Sequence, residues 1–301
     1  MVKILVTGGA GFIGSSLVNY LIKNCNYKVI VVDNLITGNI KNIDNSSIKI
    51  IKKDINDYYE LKKIFKLHRF DYVFHFAALV GVKRTQQNPL DVLKDIKGFQ
   101  NIFELSSLYK VQRLFYSSSS EVYGEPVTIP QNEETTPLNS RIPYAIVKNL
   151  GESFCKTYFK EKKLQYTIFR FFNTYGKTQS NDFVISKFVN LAKKNKTINI
   201  YGDGEQRRTF CYIYDTIEAI VKCFEKNLHI NDVVNIGNNL EITMNNLAQI
   251  IIKKTNSKSK IKYIKALEEG DMKRRKPDNL KMKKILNRKL VSLSNGLNKI
   301  I

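Results

Sequence analysis

The feature that most constrains the fold is a glycine-rich segment, TGGAGFIG at residues 7–14, between a short apolar run and an amphipathic stretch. Glycines at this spacing let the chain turn sharply, so that backbone amides and the N-terminus of the following helix can face a pyrophosphate. The next apolar run, 28–33, ends in Asp33, where a carboxylate can bind the 2′-hydroxyl of the NAD ribose. An arginine at that point would instead indicate NADP. The segment predicts a β-α-β unit that binds NAD through Gly8, Gly11, Phe12, Ile13, Gly14, Asp33 and Asn34.

The same alternation of strand and helix continues along the chain. Nearly continuous apolar strands that alternate with helices are typical of a doubly wound α/β fold with a parallel sheet. Strand-like runs lie at 3–7, 28–33, 48–51, 71–76, 113–117 and 166–171, and helical patterns lie at 12–24, 57–66, 90–109 and 144–162. The segments that follow the third and fourth strands are predicted to border the adenosine and the pyrophosphate: Asp54, Ile55, Ala77 and Ala78.

The rhythm changes after Asn173, where the elements become shorter and turn signals such as GDG at 202–204 become more frequent. This change predicts a Rossmann domain for NAD, formed by residues 1–175 and 212–236. A smaller α/β substrate-binding lobe is predicted from residues 176–211 and 237–301, covering the strand ends.

The number and spacing of the cysteines indicate the cellular compartment of the protein. The chain's four cysteines (Cys25, Cys155, Cys211, Cys223) show no CxxC and neither metal-knuckle nor disulfide spacing, which indicates a reducing cytoplasm and no metal site. The first residues lead directly into a predicted strand and lack the pattern of a targeting leader, so no membrane is expected.

The net charge of +22 leaves a nucleic-acid partner open, because lysine and arginine neutralise phosphates. The lysines are spread over the whole length among many asparagines and isoleucines, which indicates a biased composition rather than a binding patch. We therefore expect no nucleic-acid partner, although a positive field would steer a dianionic ligand towards its site.

A Tyr-x-x-x-Lys spacing places both side chains on one face of a helix. The chain contains it at Tyr58/Lys62, Tyr59/Lys63, Tyr144/Lys148 and Tyr158/Lys162. Only Tyr144 follows a strand that runs into serines, RLFYSSSSEVYG at 113–124, and opens a helix after a proline. That placement predicts that Tyr144 and Lys148 lie at the carboxyl edge of the sheet, where such folds bind ligands.

The predicted chemistry needs both members of this pair. An ammonium about 5 Å from a phenol, at an effective dielectric of about 20, is worth roughly 3 kcal/mol, or about two units of tyrosine pKa. Tyr144 could then take the proton of a substrate hydroxyl near neutral pH while the hydride leaves for NAD, and Ser119 would hold the hydroxyl.

The motifs together resemble the extended short-chain dehydrogenases of the NAD-dependent epimerase/dehydratase family, which act on nucleotide sugars. They occur in order as TGGAGFIG, Asp33-Asn34, HFAA, SSSSEVYG, PYAIVK, RFFNTYG, YGDGEQRRTF and GDMKRRKPD. The resemblance implies that Ser119, Tyr144 and Lys148 are catalytic and that the last two also contact NAD. It also implies that a nucleotide diphosphate sugar is bound by Asn173, Arg208 and either Arg274 or Arg275. The basic stretch at 81–89, which contains Arg84, and the late RRKPD could serve a diphosphate or a carboxylate equally well.

Two departures from the family pattern concern the late motifs. Many relatives have Arg-Pro before the late Gly-Asp, where this chain has Glu268-Glu269, so the phosphate contacts are expected to differ. The usual Leu-Gly-Trp near the C-terminus is Leu286-Asn287-Arg288, a change expected to affect packing alone.

The resemblance leaves three reactions open after the shared oxidation at carbon 4. A 4-epimerase such as UDP-glucose 4-epimerase needs little beyond the serine, tyrosine and lysine, and is the leading expectation. A UDP-glucuronate decarboxylase or a 4,6-dehydratase would use Glu121, although the aspartate that many dehydratases place before it is Ser120 here. Glu121 could also merely pair with a lysine. A protein that binds NAD or RNA without catalysis is the remaining class.

A homodimer is expected from the helices predicted at 90–109 and 144–162, which form a four-helix interface in the family. The first helix carries more apolar surface than one face of a sheet can cover, which favours a second copy as the partner. Its apolar residues are Leu90, Leu93, Phe99, Ile102, Phe103 and Leu105.

Overall fold

A computed structural model of the chain describes residues 1–24, 26–44, 48–266 and 274–301. The strands are β1 Val2–Thr7, β2 Tyr27–Asp33, β3 Lys49–Lys52, β4 Tyr72–His75, β5 Arg113–Ser119, β6 Gln165–Phe171, β7 Thr174–Tyr175, β8 Ile198–Tyr201, β9 Arg207–Thr209, β10 Cys211–Tyr212, β11 Asp232–Ile236, β12 Glu241–Thr243 and β13 Ile261–Ile264. The helices are α1 Phe12–Leu21, α2 Tyr58–His68, α3 Val82–Gln87, α4 Pro89–Leu108, α5 Pro143–Lys162, α6 Val184–Lys193, α7 Ile213–Glu225, α8 Met244–Lys254, α9 Leu280–Leu286 and α10 Leu293–Asn298.

The main sheet has seven parallel strands in the order β11-β6-β5-β4-β1-β2-β3. The order reverses between β1 and β4, because the chain first winds outward through β2 and β3 and then returns to the other side of β1. A reversal of this kind leaves a crevice at the carboxyl ends of the strands. The predicted doubly wound α/β fold is confirmed.

Alternate residues of each strand face opposite sides of the sheet, and both sides are apolar. Ile4 and Val6 of β1 face a core shared with α1, α7 and α9, while Leu5 faces a second core shared with α2, α4 and α5. The double burial explains why the strands read as continuous apolar runs in the sequence. The sheet is thus a rigid support for the segments at its carboxyl edge.

A second group of elements forms its own apolar core. The antiparallel pair β9–β12, the parallel pair β8–β13, and helices α6, α8 and α10 surround buried residues that include Phe188, Ile200 and Leu247. Helix α9, however, packs against α7 and β11, and Met282 and Ile285 belong to the core of the main sheet. The division at 176–211 and 237–301 stays a prediction.

Helices α4 and α5 pack against each other on one side of the sheet. Phe99, Ile102, Phe103 and Leu105 of α4 are buried within the chain itself, so the expectation that these residues need a partner is wrong. They cover the sheet and α5 instead. Among the apolar side chains of α4 predicted for an interface, Leu90 and Leu93 remain exposed. Within the described part of the chain, no helix is both long and apolar enough to cross a bilayer.

Candidate active site

A cavity of about 590 Å³ opens at the carboxyl edge of the main sheet, at the point where the strand order reverses. Most residues predicted to bind cofactor or to catalyse line it: Gly8, Gly11, Phe12, Ile13, Gly14, Asp33, Asn34, Asp54, Ile55, Ala77, Ala78, Ser119, Glu121, Tyr144, Lys148, Asn173 and Arg275. We refer to it below as the cavity. Its position is the one at which ligands bind in open α/β sheets.

The glycine loop forms one wall of the cavity, and two of its glycines are required by space. Gly8 has φ +68, and a Cβ there would lie 2.6 Å from the amide nitrogen of Ala77. A Cβ on Gly14 would lie 2.1 Å from the carbonyl oxygen of Gly8. The loop therefore packs tightly against the end of β4, which leaves the N-terminus of α1 facing the cavity. This open, amide-lined turn fits a pyrophosphate.

Asp33 ends β2 at the rim of the cavity and is buried. Its carboxylate accepts hydrogen bonds from the amide nitrogens of Ala10 at 2.9 Å and Leu35 at 2.8 Å. These bonds fix the carboxylate beside the glycine loop. Next to it, the amide of Asn34 donates to Asp54 Oδ2 at 3.0 Å. The negative charge of Asp33 fits a ribose with free hydroxyl groups and opposes a phosphate there.

We expect the protein to bind NAD more tightly than NADP, by about tenfold or more, or ~1.4 kcal/mol. Asp33 can accept from a free 2′-hydroxyl but repels a 2′-phosphate. Because Asp33 also holds two backbone amides of the loop, the comparison is best made with the two dinucleotides on the unaltered chain, by titration calorimetry. Tighter binding of NADP would contradict the assignment of Asp33.

The predicted catalytic trio comes together in the wall opposite the glycine loop. Ser119 is the last residue of β5, and its hydroxyl is hydrogen-bonded to Tyr144 in the first turn of α5. The ammonium of Lys148, one turn later, lies 5.8 Å from the centre of the Tyr144 ring. It donates to the carbonyl oxygen of Ser117 at 2.7 Å. The trio therefore joins the end of a central strand to the start of one helix.

The pKa of Tyr144 differs from the sequence-based expectation of a lowered value. Burial raises the pKa of Tyr144, the hydrogen bond from Ser119 lowers it, and the charges of Glu121 and Asp95 raise it. Lys148 is itself desolvated, and burial lowers its pKa to about 8. The expectation of a lowered value is wrong for the cavity as it stands, because a phenolate loses more by leaving water than it gains from an ammonium directed at Ser117.

Glu121 lies beside the trio and pairs with an arginine rather than with a lysine. Its carboxylate is 2.8 Å from Arg275 Nη2, and both side chains are nine-tenths buried. Arg275 Nη1 lies 3.4 Å from the hydroxyl of Ser120. Arg274, in contrast, pairs with Glu241 at 2.6 Å on the surface. Of the two late arginines, Arg275 is the one at the cavity.

Two of the predicted substrate-binding residues do not line the cavity in the described structure. Arg84 pairs with Asp182 at 2.9 Å, and Arg208 Nη1 donates to the carbonyl oxygen of Arg207 at 2.8 Å. Asn173 does line the cavity, and its amide donates to the carbonyl oxygen of Thr209. Glu268 and Glu269 lie outside the described residues.

Other cavity residues were not singled out from the sequence. Asp95 of α4 lines the cavity, as do Gln179 and Phe183 from the segment before α6 and Ile185 from its first turn. The segment that contains Gln179 and Phe183 begins only a few residues after the RFFNTYG motif at 170–176, and this closeness in sequence could have indicated that it reaches the cavity. For Asp95 there was no local signal, because an aspartate on an amphipathic helix is typical of the side that faces solvent.

A buried network of charged side chains connects the serine run at the end of β5 to α5 and β6. Glu152, one turn after Lys148 on α5, accepts from Ser118 Oγ at 2.5 Å and forms two hydrogen bonds with Arg170 of β6 at 2.9 and 2.7 Å. Both charged side chains are almost fully buried. Because an unpaired charge at this depth is costly, the network fixes α5 against the ends of β5 and β6.

Comparisons with known proteins agree with this geometry. A model of the NAD dependent epimerase/dehydratase family matches residues 4–237. The chain is 35% identical to a putative UDP-glucose 4-epimerase of Methanocaldococcus jannaschii, over 99% of this chain and 97% of that protein. It is 33% identical to UDP-glucuronic acid decarboxylase 1 of Danio rerio, over 99% of this chain and 72% of that protein.

A solved structure shows the same likeness in three dimensions. The UDP-glucose 4-epimerase of Thermotoga maritima, crystallised with UDP-glucose, has a TM-score of 0.93 and 34% identity to this chain. The superposition covers 99% of this chain and 97% of that one. The similarity therefore extends beyond the glycine loop to nearly the whole molecule.

Proposed function

Since this chain belongs to the NAD dependent epimerase/dehydratase family, we propose that it is a UDP-sugar 4-epimerase, acting on a UDP-hexose such as UDP-glucose through a 4-keto intermediate. It is an enzyme whose cofactor is NAD. The proteins similar to it include nucleotide-sugar epimerases, decarboxylases and dehydratases. A non-enzymatic role in binding NAD or RNA has no support in the cavity, where the complete trio lies together.

The first step is shared by all these reactions and falls to the trio. When bound, NAD accepts the hydride that leaves carbon 4 of the sugar and later returns it. Tyr144 takes the proton of the 4-hydroxyl through its hydrogen bond with Ser119, and this bond and the charge of Arg275 oppose the increase in the pKa of Tyr144 caused by burial. In an epimerase the keto sugar then turns over in the cavity, and the same tyrosine returns the proton on the other face.

The ion pair between Glu121 and Arg275 is the observation that favours an epimerase over the other two reactions. At 2.8 Å the two charges neutralise each other, so this pair offers no net charge beside Tyr144. A neutral hexose ring fits such a wall. A uronate would place its carboxylate near Glu121 with no net positive charge in that pair to receive it, and it would have to compete for Arg275.

A decarboxylase or dehydratase is the second candidate, and the surroundings of one carboxylate oxygen of Glu121 favour it. The Oε2 atom of Glu121 is buried and has no hydrogen-bond partner among the described residues. An orphan carboxylate oxygen at the cavity could orient the ring or take the proton of carbon 5. Arg275 would then exchange Glu121 for a uronate carboxylate.

The direct test is incubation with UDP-, GDP- and dTDP-sugars, including UDP-glucuronate, with products read by mass and NMR. We expect a UDP-hexose to be converted with unchanged mass and an inverted carbon 4. Loss of carbon dioxide from UDP-glucuronate, or loss of water from a hexose, would overturn the epimerase in favour of the corresponding second candidate. No conversion of any sugar would contradict both.

We further propose that the substrate diphosphate is held by Asn173, with Arg84 and Arg208 joining once the sugar is bound, while Arg275 stays paired with Glu121. Arg84 would leave Asp182 and bind a phosphate instead. A diphosphate carries two negative charges, so it attracts Arg84 more strongly than the partly exposed carboxylate of Asp182 does. We also propose a cytoplasmic location, in keeping with the unpaired, buried thiols of Cys155, Cys211 and Cys223.

We expect the enzyme to be a homodimer that associates through α4 and α5. Their exposed apolar side chains, Leu93, Ile146 and Leu150, with Leu90 at the start of α4, are the surface that a second copy would cover. Light scattering at micromolar concentration should give twice the mass of the chain, and Ile146→Lys with Leu150→Lys should give the single mass. A monomer for the unaltered chain would contradict this expectation.

A further inference from the structure

Asn235 lies on β11, the edge strand of the main sheet, and its side chain is fully buried. Its Oδ1 atom accepts a hydrogen bond of 2.9 Å from the hydroxyl of Tyr123. Its Nδ2 atom donates to the carbonyl oxygen of Gln131 at 2.9 Å and to that of Asp278 at 3.2 Å. A single side-chain amide therefore joins three segments that are distant from one another in sequence.

Two of these segments carry the ion pair at the cavity. Tyr123 is two residues after Glu121, and Asp278 is three residues after Arg275. The carboxylate and the guanidinium of that pair meet at 2.8 Å beside the catalytic trio. Asn235 itself lies outside the cavity lining of the described structure. The same two segments are thus connected twice, once by opposite charges at the cavity and once by a buried amide away from it.

The late segment, residues 274–278, is also held by Gln131. The amide nitrogen of Gln131 donates to the carbonyl oxygen of Lys276 at 2.8 Å, and its carbonyl oxygen accepts from the amide nitrogen of Asp278 at 2.8 Å. Its side-chain Oε1 atom accepts from the amide nitrogen of Lys276 at 3.2 Å. Because Asn235 donates to Gln131 as well as to Asp278, it fixes both the late segment and the residue that supports it.

The other side of the amide is fixed by the buried network of α5. Arg170 Nη1 donates to the hydroxyl of Tyr123 at 2.8 Å, and its guanidinium lies 4.7 Å from the centre of that ring. The same guanidinium is held by Glu152, one turn after Lys148. Since the hydroxyl accepts from Arg170, its single hydrogen remains for Asn235. The amide therefore links the late segment to the helix that carries the catalytic tyrosine and lysine.

We propose that Asn235 is a positioning residue, which fixes the late segment so that Arg275 meets Glu121 at the cavity and thereby supports sugar binding without touching the sugar. This role rests on the function proposed above only in placing the sugar ring beside the ion pair. Without the amide, the buried carbonyl oxygen of Asp278 would lose its donor and that of Gln131 one of its two donors. Buried acceptors without donors are costly, so the late segment would loosen.

The first test needs no ligand. Asn235→Leu keeps a side chain of similar size but removes its three hydrogen bonds. We expect the backbone amides of Lys276 and Asp278 to exchange with deuterium about tenfold faster, followed by NMR in the full chain. Asn101→Leu is the matched control, because Asn101 is a buried asparagine whose Nδ2 donates to the carbonyl oxygen of Ile55 at 2.8 Å. It should leave both amides unchanged. Unchanged exchange in Asn235→Leu would overturn the proposal.

The second test separates positioning from a general loss of structure. Binding of UDP-glucose and of UDP-glucuronate to the NAD-bound protein is measured by titration calorimetry, with and without Asn235→Leu. Both measurements are repeated in a chain without the ion pair, made by Glu121→Gln with Arg275→Met. We expect Asn235→Leu to weaken sugar binding by about tenfold in the natural chain and to have no further effect without the pair, because changes that act through one group are not additive. Equal losses in both chains would contradict the proposal.

Failure of this role and failure of the proposed function give different results. If the product assay identifies a decarboxylase, the epimerase fails, but the same comparison made with UDP-glucuronate still decides the role of Asn235. If neither sugar binds, the amide exchange alone decides it. Tyr123→Phe covers the case in which Asn235→Leu does not fold, because it removes only the hydroxyl that bonds to the amide. We expect it to speed the exchange of Lys276 and Asp278 by about threefold. No change in that variant would count against the proposal.

Discussion

Replacing Tyr144 by phenylalanine should leave the fold and NAD binding intact and lower turnover by a factor of about a hundred to ten thousand, the usual contribution of a general base. That factor corresponds to roughly 3–5 kcal/mol of barrier. The ring of Tyr144 packs at the start of α5 against the second core, and phenylalanine preserves that contact. Only the hydroxyl that bonds to Ser119 is lost, and with it the acceptor for the sugar proton.

Tyr158→Phe is the matched control, because Tyr158 lies on the same helix and has the same spacing to a lysine, Lys162. Tyr158 stacks on Phe154 and packs against Phe103, away from the residues that line the cavity. We expect Tyr158→Phe to retain turnover, measured with the sugar that the product assay identifies. The NAD content of each purified variant is measured alongside. Near-native turnover in Tyr144→Phe would refute the assignment of the trio.

The parts of the molecule that local sequence determines were predictable. The glycine loop is one such part, since Gly8 and Gly14 leave no room for a side chain in the turn. The doubly wound sheet is another, because strands buried on both faces must be apolar at every position. The helices also begin close to their predicted positions, where Pro89 and Pro143 open α4 and α5.

What the sequence could not supply depends on contacts between distant segments. Asp95 lines the cavity together with Lys148 because α4 and α5 pack against each other, and nothing in its own helix distinguishes it from a solvent-exposed aspartate. The raised pKa of Tyr144 has the same origin, because burial is set by the whole fold and not by the spacing to Lys148. Glu121 likewise finds its partner, Arg275, more than a hundred residues away. Electrostatics of this kind can be calculated only after the fold is known.

Glu121→Gln separates the two proposed functions. An epimerase uses only the shared hydride and proton steps, so the variant should be slower by about tenfold, or ~1.4 kcal/mol of barrier. A decarboxylase or dehydratase would need the carboxylate after the keto sugar has formed. In that enzyme the variant should still oxidise the sugar but then stall, with a loss of about a hundred- to ten-thousandfold in product formation.

The measurement is the absorbance of NADH after mixing the variant with its sugar, followed by analysis of the bound species. Glutamine leaves the buried guanidinium of Arg275 without its counter-charge, and breaking a buried pair typically costs about 3–5 kcal/mol of stability, so thermal unfolding and NAD binding are measured first. Glu125→Gln, an exposed change in the same segment, controls for handling and for the loss of one negative charge. A folded variant that accumulates NADH and a 4-keto sugar without releasing product would refute the epimerase, because the carboxylate would then act after oxidation. A folded variant that slowly yields the inverted sugar would support it, since the carboxylate would then not be needed after oxidation.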